Sequence, residues 1–199
     1  MLIRYILAVL IGIFLAGIIN MEFKKNDTSP IRRTASITIN IIAMICICLI
    51  LAFHAGLTYR FIVYSMLSAN LLYISNCDIR EQAVSYETIA VFIMCSLAVL
   101  IFNKDNVWWN YILSGIGFSA LFILISRLTR SAIGIGDALI IGAIGLCLGF
   151  YHTFAVVIFA LLLGGIISII LFLLKKVTRQ TTLPFAPFLT AGFLVSILI

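Results

Sequence analysis

The sequence predicts an all-α fold, a polytopic membrane helix bundle of about eight transmembrane helices. Three observations predict it. Of 199 residues, 64% are hydrophobic and only 10% are charged, against about 25% charged in soluble domains. The mean hydropathy is +1.26. The apolar residues come in continuous runs near the length a helix needs to cross a bilayer, about 20 residues, whereas barrel strands give short alternating segments. No stretch is polar and long enough to form a separate soluble domain, so residues 1–199 are expected to form one membrane-embedded domain.

The apolar segments fall at about 2–20, 36–53, 60–77, 88–102, 107–126, 136–150, 153–174 and 184–199. The first could be a secretion signal, but no small-x-small cleavage site follows Ile18-Ile19-Asn20-Met21-Glu22, so it is expected to be a retained helix. The second and third hold Cys46, Cys48 and Cys77; with Cys95 and Cys147 these sit in or beside apolar runs, form no CxxC pair, and read as small packing residues rather than zinc ligands or disulfides. The fifth opens on Trp108, Trp109 and Tyr111, an interfacial aromatic anchor. The sixth is short for a full crossing and rich in glycine; Gly145 and Gly149 have the spacing that lets helices pack closely. His54 and His152 fall in expected outer loops, with no role assigned.

The net charge of +6 reads as topology rather than nucleic-acid binding. Lys24, Lys25, Arg32, Arg33, Arg80, Arg127, Arg130, Lys175, Lys176 and Arg179 lie in odd-numbered loops, which is ten of the thirteen basic residues; Arg4, Arg60 and Lys104 lie on the other side. Odd loops are therefore expected in the cytoplasm and both termini outside.

Two carboxylates stand apart from the solvated loop acids Glu22, Asp27, Glu81, Glu87 and Asp105. Asp78 ends the third segment and Asp137 begins the sixth, each at the edge of a long apolar run. An ionised carboxylate near hydrocarbon is costly and marks a functional site by default. The topology puts both near the cytoplasmic face. Asp137 alone could be a helix N-cap, but Asp78 lies at a helix C-terminus, where the dipole disfavours it. Two close carboxylates share one proton, and such a pair hydrolyses a peptide bond with no metal or cofactor. Gly134 and Gly136 leave no side chain before Asp137, so a substrate backbone can approach there. The alternative is a proton- or ion-coupled transporter whose aspartates bind the cation, which would favour positions nearer mid-membrane.

Three motifs carry a family likeness: Asp78-Ile79-Arg80, Ala132-Ile133-Gly134-Ile135-Gly136-Asp137, and Leu183-Pro184-Phe185-Ala186-Pro187-Phe188-Leu189. In order and spacing these resemble the Asp-Leu-Arg, Met-Gly-x-Gly-Asp and Pro-Phe-Gly-Pro-Phe-Leu runs of the type IV prepilin peptidases, the GxGD aspartic proteases of bacterial pilus and type II secretion systems. The presenilin and signal-peptide-peptidase group shares GxGD but has a Pro-Ala-Leu motif not found here. The resemblance covers nearly the whole chain. It implies an endopeptidase of a prokaryotic inner or plasma membrane with Asp78 and Asp137 as catalytic dyad. Its partners would be prepilin-like proteins with a basic leader and an apolar N-terminal helix. It departs from the family at Leu139, where lysine is usual, and at Val84-Ser85-Tyr86, where Ile-Pro-Asn or Ile-Pro-Asp is usual. Many bacterial members carry two CxxC pairs in the first cytoplasmic loop, associated with N-methylation; residues 22–35 have no cysteine, which implies a peptidase-only, minimal form. Glu81 and Glu87 would attract a basic leader.

Overall fold

The computed structural model describes residues 2–26, 30–82, 84–102, 107–129, 134–175 and 183–198. Among them every regular element is an α-helix: α1 (Leu2–Asn26), α2 (Pro30–Ala55), α3 (Tyr59–Glu81), α4 (Tyr86–Phe102), α5 (Trp108–Leu128), α6 (Ile135–Leu173) and α7 (Ala186–Leu198). A helix satisfies its backbone polar groups within one segment, which is what an apolar solvent demands. Four helices, α1, α2, α5 and α6, are long and apolar enough to cross a membrane; α4 and α7 are shorter apolar helices. Among the described residues there are thus seven helices where eight apolar segments were expected. The sixth and seventh expected segments are the two parts of α6, divided at Gly149 alone.

The chain forms two compact units, residues 1–73 and 74–199, with α3 passing from one to the other. In the first, α1 and α2 pack antiparallel. Gly12 lies against the Ile45 backbone, where an added Cβ would come within 3.1 Å of Cα. Near one end Asn40 Nδ2 donates to Asn20 Oδ1 at 3.1 Å, a buried amide pair. Near the other, Arg4 Nη2 donates to Phe53 O at 3.2 Å, satisfying a carbonyl in the last turn of α2. Gly56 follows that turn at φ 68°, the left-handed residue that commonly ends a helix.

In the second unit the small residues of α5 and α6 set the spacing. Gly145 lies on the Gly115 backbone, where a Cβ would be 2.9 Å from Cα, and a Cβ on Gly142 would collide with Ser119 Oγ. These contacts extend the expected Gly145/Gly149 pair. The two helices run antiparallel, since Ser119 meets Gly142 while Asn110 meets Gly149. Gly149 has φ 74° and ψ −179° inside α6, a conformation essentially restricted to glycine. The chain reverses there, and residues 150–173 run back antiparallel to α7: Gly192 packs on Val156 and Ala160, and Gly164 on the Phe188 ring. Phe118 of α5 and Phe150 lie 5.4 Å apart beside the reversal. Ile140, Ile141, Ile144, Leu189 and Phe193 are fully buried at the centre.

Two expectations need correction. His54 is in the last turn of α2, because the helix continues to Ala55. His152 is inside α6, because the reversal is completed at Gly149, before the histidine. Trp108 and Trp109 do open α5, exposed and stacked at 3.9 Å. Of the loop charges, Asp27, Lys104, Asp105, Arg130, Lys176 and Arg179, and the side chains of Glu22, Lys24, Lys25, Arg32 and Arg33, lie outside the described residues.

Candidate active site

The site is built from three helix ends of the second unit. α3 departs from the uniformly apolar helices around it: Ser75, Asn76 and Asp78 populate its last turns. Asp78 is 8% exposed and still helical.

α7 begins with Pro184-Phe185-Ala186-Pro187. Phe185 is the cap, its carbonyl accepting from Phe188 N at 3.0 Å and Leu189 N at 3.2 Å. Pro187 has no N–H. In this first turn the Ala186 N–H is left for an outside acceptor, and it donates to Asp78 Oδ2 at 2.9 Å in a buried hydrogen bond. A carboxylate at a helix N-terminus is favoured by the dipole, and bonds to ionised acceptors are stronger than neutral ones. Asp78 was expected to have no cap role because it ends its own helix. It serves instead at the start of another, a relation that local sequence does not express.

Asp137 is the third residue of α6, whose N-cap is Gly134 at φ −64° and ψ 142°. Its carboxylate turns back to accept the Gly134 N–H, the geometry in which an acidic residue at this position satisfies the cap's own donor. A Cβ on Gly134 would stand 3.2 Å from Asp137 Oδ2, while one on Gly136 would meet only Ile89 Cδ1 at 3.4 Å. Neither glycine is among the positive-φ residues, so what matters at both is open space rather than backbone freedom. Gly134 is exposed and Gly136 partly buried.

Asp78 and Asp137 lie at the same end of the unit, close enough for their charges to interact. Ile89, in the first turns of α4, closes the side next to Gly136. Ser85 starts α4: its hydroxyl accepts from Thr88 N at 3.3 Å and pairs with Thr88 Oγ1 at 2.8 Å, so the departure at Val84-Ser85-Tyr86 supplies a helix cap. Glu81 and Glu87 are exposed on either side of that turn. Among the described residues no group of three or more His, Cys, Asp or Glu could hold a metal ion, and the five cysteines are free.

Gly134 thus stands beside the Asp137 carboxylate, Gly136 faces Ile89, and Asp137 lies within electrostatic reach of Asp78. Sequence reasoning missed the part of Ala186, whose N–H anchors Asp78, although the two prolines flanking Phe185-Ala186 were the available signal. It also missed Ser75 and Thr190, which meet between α3 and α7.

Fold and site together define a multi-pass helical membrane protein with a carboxylate pair at one end of a bundle. The sequence places it more closely: the profile of the type IV leader peptidase family matches residues 65–169. The chain belongs to this family of membrane peptidases. It is similar to the prepilin leader peptidase/N-methyltransferase of Bacillus subtilis (strain 168), with 23% identity over 128 residues, 64% of this chain and 52% of that protein. The chain thus spans about half the length of that relative. No solved structure matches it.

Proposed function

We propose that this protein is an aspartic endopeptidase that removes the basic leader of prepilin-like substrates at the cytoplasmic membrane face. One observation carries the proposal: the two carboxylates, drawn from different helices, come within electrostatic reach at one bundle end, each held by a backbone N–H at a helix start. The family and its Bacillus subtilis relative point to the substrate class.

With one proton shared by the pair, the ionised carboxylate takes a proton from water as its oxygen attacks the scissile carbonyl. The protonated partner donates to the carbonyl oxygen. Collapse of the tetrahedral intermediate breaks the C–N bond, and a proton passes to the leaving amine. The products are the leader's new carboxyl group and the mature protein's new amino group, and one water is consumed. The substrate's apolar helix lies in the bilayer, and its cleavage site reaches the pair at the membrane edge.

Gly134, exposed beside the Asp137 carboxylate, leaves the approach open to a substrate backbone, whereas Gly136 faces the Ile89 side chain. Gly134→Val fills that approach and crowds the carboxylate, and lowers kcat/KM by about a hundredfold. Gly136→Ala, which meets only the end of the flexible Ile89 side chain, stays within about threefold of wild type. Steady-state cleavage of a prepilin-like substrate by the purified full chain checks both; equal loss in the two variants would contradict this reading of Gly134.

The proposal as a whole is tested by a substrate with a lysine-rich leader and an apolar helix, incubated with the protein in detergent or proteoliposomes. Leader release is expected, and a substrate left intact under conditions where the protein is folded would overturn it.

A further inference from the structure

One turn before Asp78 on α3, and one turn after Ala186 on α7, two hydroxyls meet. Ser75 Oγ and Thr190 Oγ1 share a buried hydrogen bond at 2.6 Å, across 115 residues of chain. Both residues are almost wholly buried, at 5% and 6% exposure. Thr190 Oγ1 also lies 3.0 Å from the Ala186 carbonyl, to which it donates. Thr190 is thus linked both to α3 and to the residue whose N–H holds Asp78.

We infer that Ser75 and Thr190 are positioning residues for Asp78, forming with the Ala186 N–H a two-point clamp between α3 and α7. The inference rests on the reading of Asp78 as catalytic. A single hydrogen bond on Asp78 fixes one point and leaves α3 free to pivot about it against α7. A second, one helical turn away on the same face, fixes the angle at which the two helices cross and their axial register. Apolar contacts do not supply the same constraint, because they are non-directional and in a bilayer compete with equally apolar lipid, so side-chain hydrogen bonds between helices carry much of the orientation. Neither hydroxyl touches a reacting atom. Their effect passes through the placement of the Asp78 carboxylate, and catalysis is sensitive to placement at the 1 Å scale.

The test uses the full chain purified in detergent, with Thr190→Val, which keeps the shape and removes the hydroxyl, Ser75→Ala, and Thr190→Ser, which keeps the hydroxyl. Two quantities are read in each: cleavage kinetics on a prepilin-like substrate, and the rate at which a water-soluble carbodiimide with an amine labels Asp78 and Asp137, followed by mass spectrometry. Thr190→Val and Ser75→Ala each lower kcat about tenfold with KM within about twofold of wild type. Both label Asp78 several times faster, with Asp137 unchanged. Thr190→Ser behaves as wild type, and the double variant Ser75→Ala/Thr190→Val costs no more than either single change, as expected of one shared bond. Wild-type kcat or wild-type Asp78 labelling in both Thr190→Val and Ser75→Ala overturns the clamp, as does a loss that Thr190→Ser fails to restore. If the unaltered protein cleaves no leader while the labelling pattern appears as described, the clamp stands and the peptidase reading falls.

Discussion

Asp137→Asn and Asp78→Asn each lower kcat by about a thousandfold or more, because each removes one half of an acid–base pair whose proton transfers are worth about 10² to 10⁴ apiece. The double Asn variant is no slower than either single one, since the two groups act as a unit. The Ala variants then separate the two aspartates by stability. Asn at position 78 still offers a neutral oxygen to the Ala186 N–H, so Asp78→Asn unfolds closer to the wild-type midpoint than Asp78→Ala. Asp78→Ala leaves that buried N–H unpaired, costing about 1 to 3 kcal/mol. Asp137→Ala forfeits only a partly exposed cap contact to Gly134, about 1 kcal/mol or less. Thermal unfolding of the four variants beside their cleavage rates checks this order. A stable Asp78→Ala protein would show that the α3–α7 hydrogen bond matters little to the fold.

Gly149→Ala is expected to damage both the fold and the site, although it adds a single methyl group far from the carboxylates. Gly149 sits at φ 74° and ψ −179°, and a side chain there costs about 1 to 3 kcal/mol in backbone strain alone. The new Cβ would also lie 2.6 Å from Asn110 Nδ2, the amide whose oxygen accepts from Phe150 N at 3.4 Å across the reversal. The consequence reaches the site, because this reversal sends residues 150–173 back along α7 and so helps seat the α7 N-terminus under Asp78. Loss of unfolding midpoint together with loss of kcat is expected, and Gly165→Ala, which meets nothing within 4 Å, serves as a control near wild type. Equal stability of the two variants would contradict the role given to Gly149.

What the sequence made legible followed from physics that acts locally. Continuous apolar runs announced the helices: the ends of α3 to α5 fall within four residues of those runs, while α1 ends six residues later and α2 begins six residues earlier than its run. Asp78 and Asp137 stood out because charge beside hydrocarbon is expensive, and the alternation of basic residues predicts that they share one membrane face. Gly149 drew notice for its packing spacing, yet its positive φ, the property that matters, depends on where the returning helix must go. The start of α7 shows the same limit. Proline at 184 and 187 signals a helix start, but which carboxylate would accept the Ala186 N–H is decided by α3, more than a hundred residues earlier. The Ser75–Thr190 pair was invisible for that reason too: a serine and a threonine in apolar helices ordinarily bond back to their own turn, and only assembly sets them face to face.

The most direct measurement of the central claim is the map of products. A prepilin-like substrate is incubated with the purified wild-type protein, Asp78→Asn and Asp137→Asn, and every new N-terminus is determined by mass spectrometry. The wild-type protein is expected to give a single new N-terminus, at the boundary between basic leader and apolar helix, and neither variant any. The same cut persisting in Asp78→Asn or Asp137→Asn at a rate near wild type would contradict it.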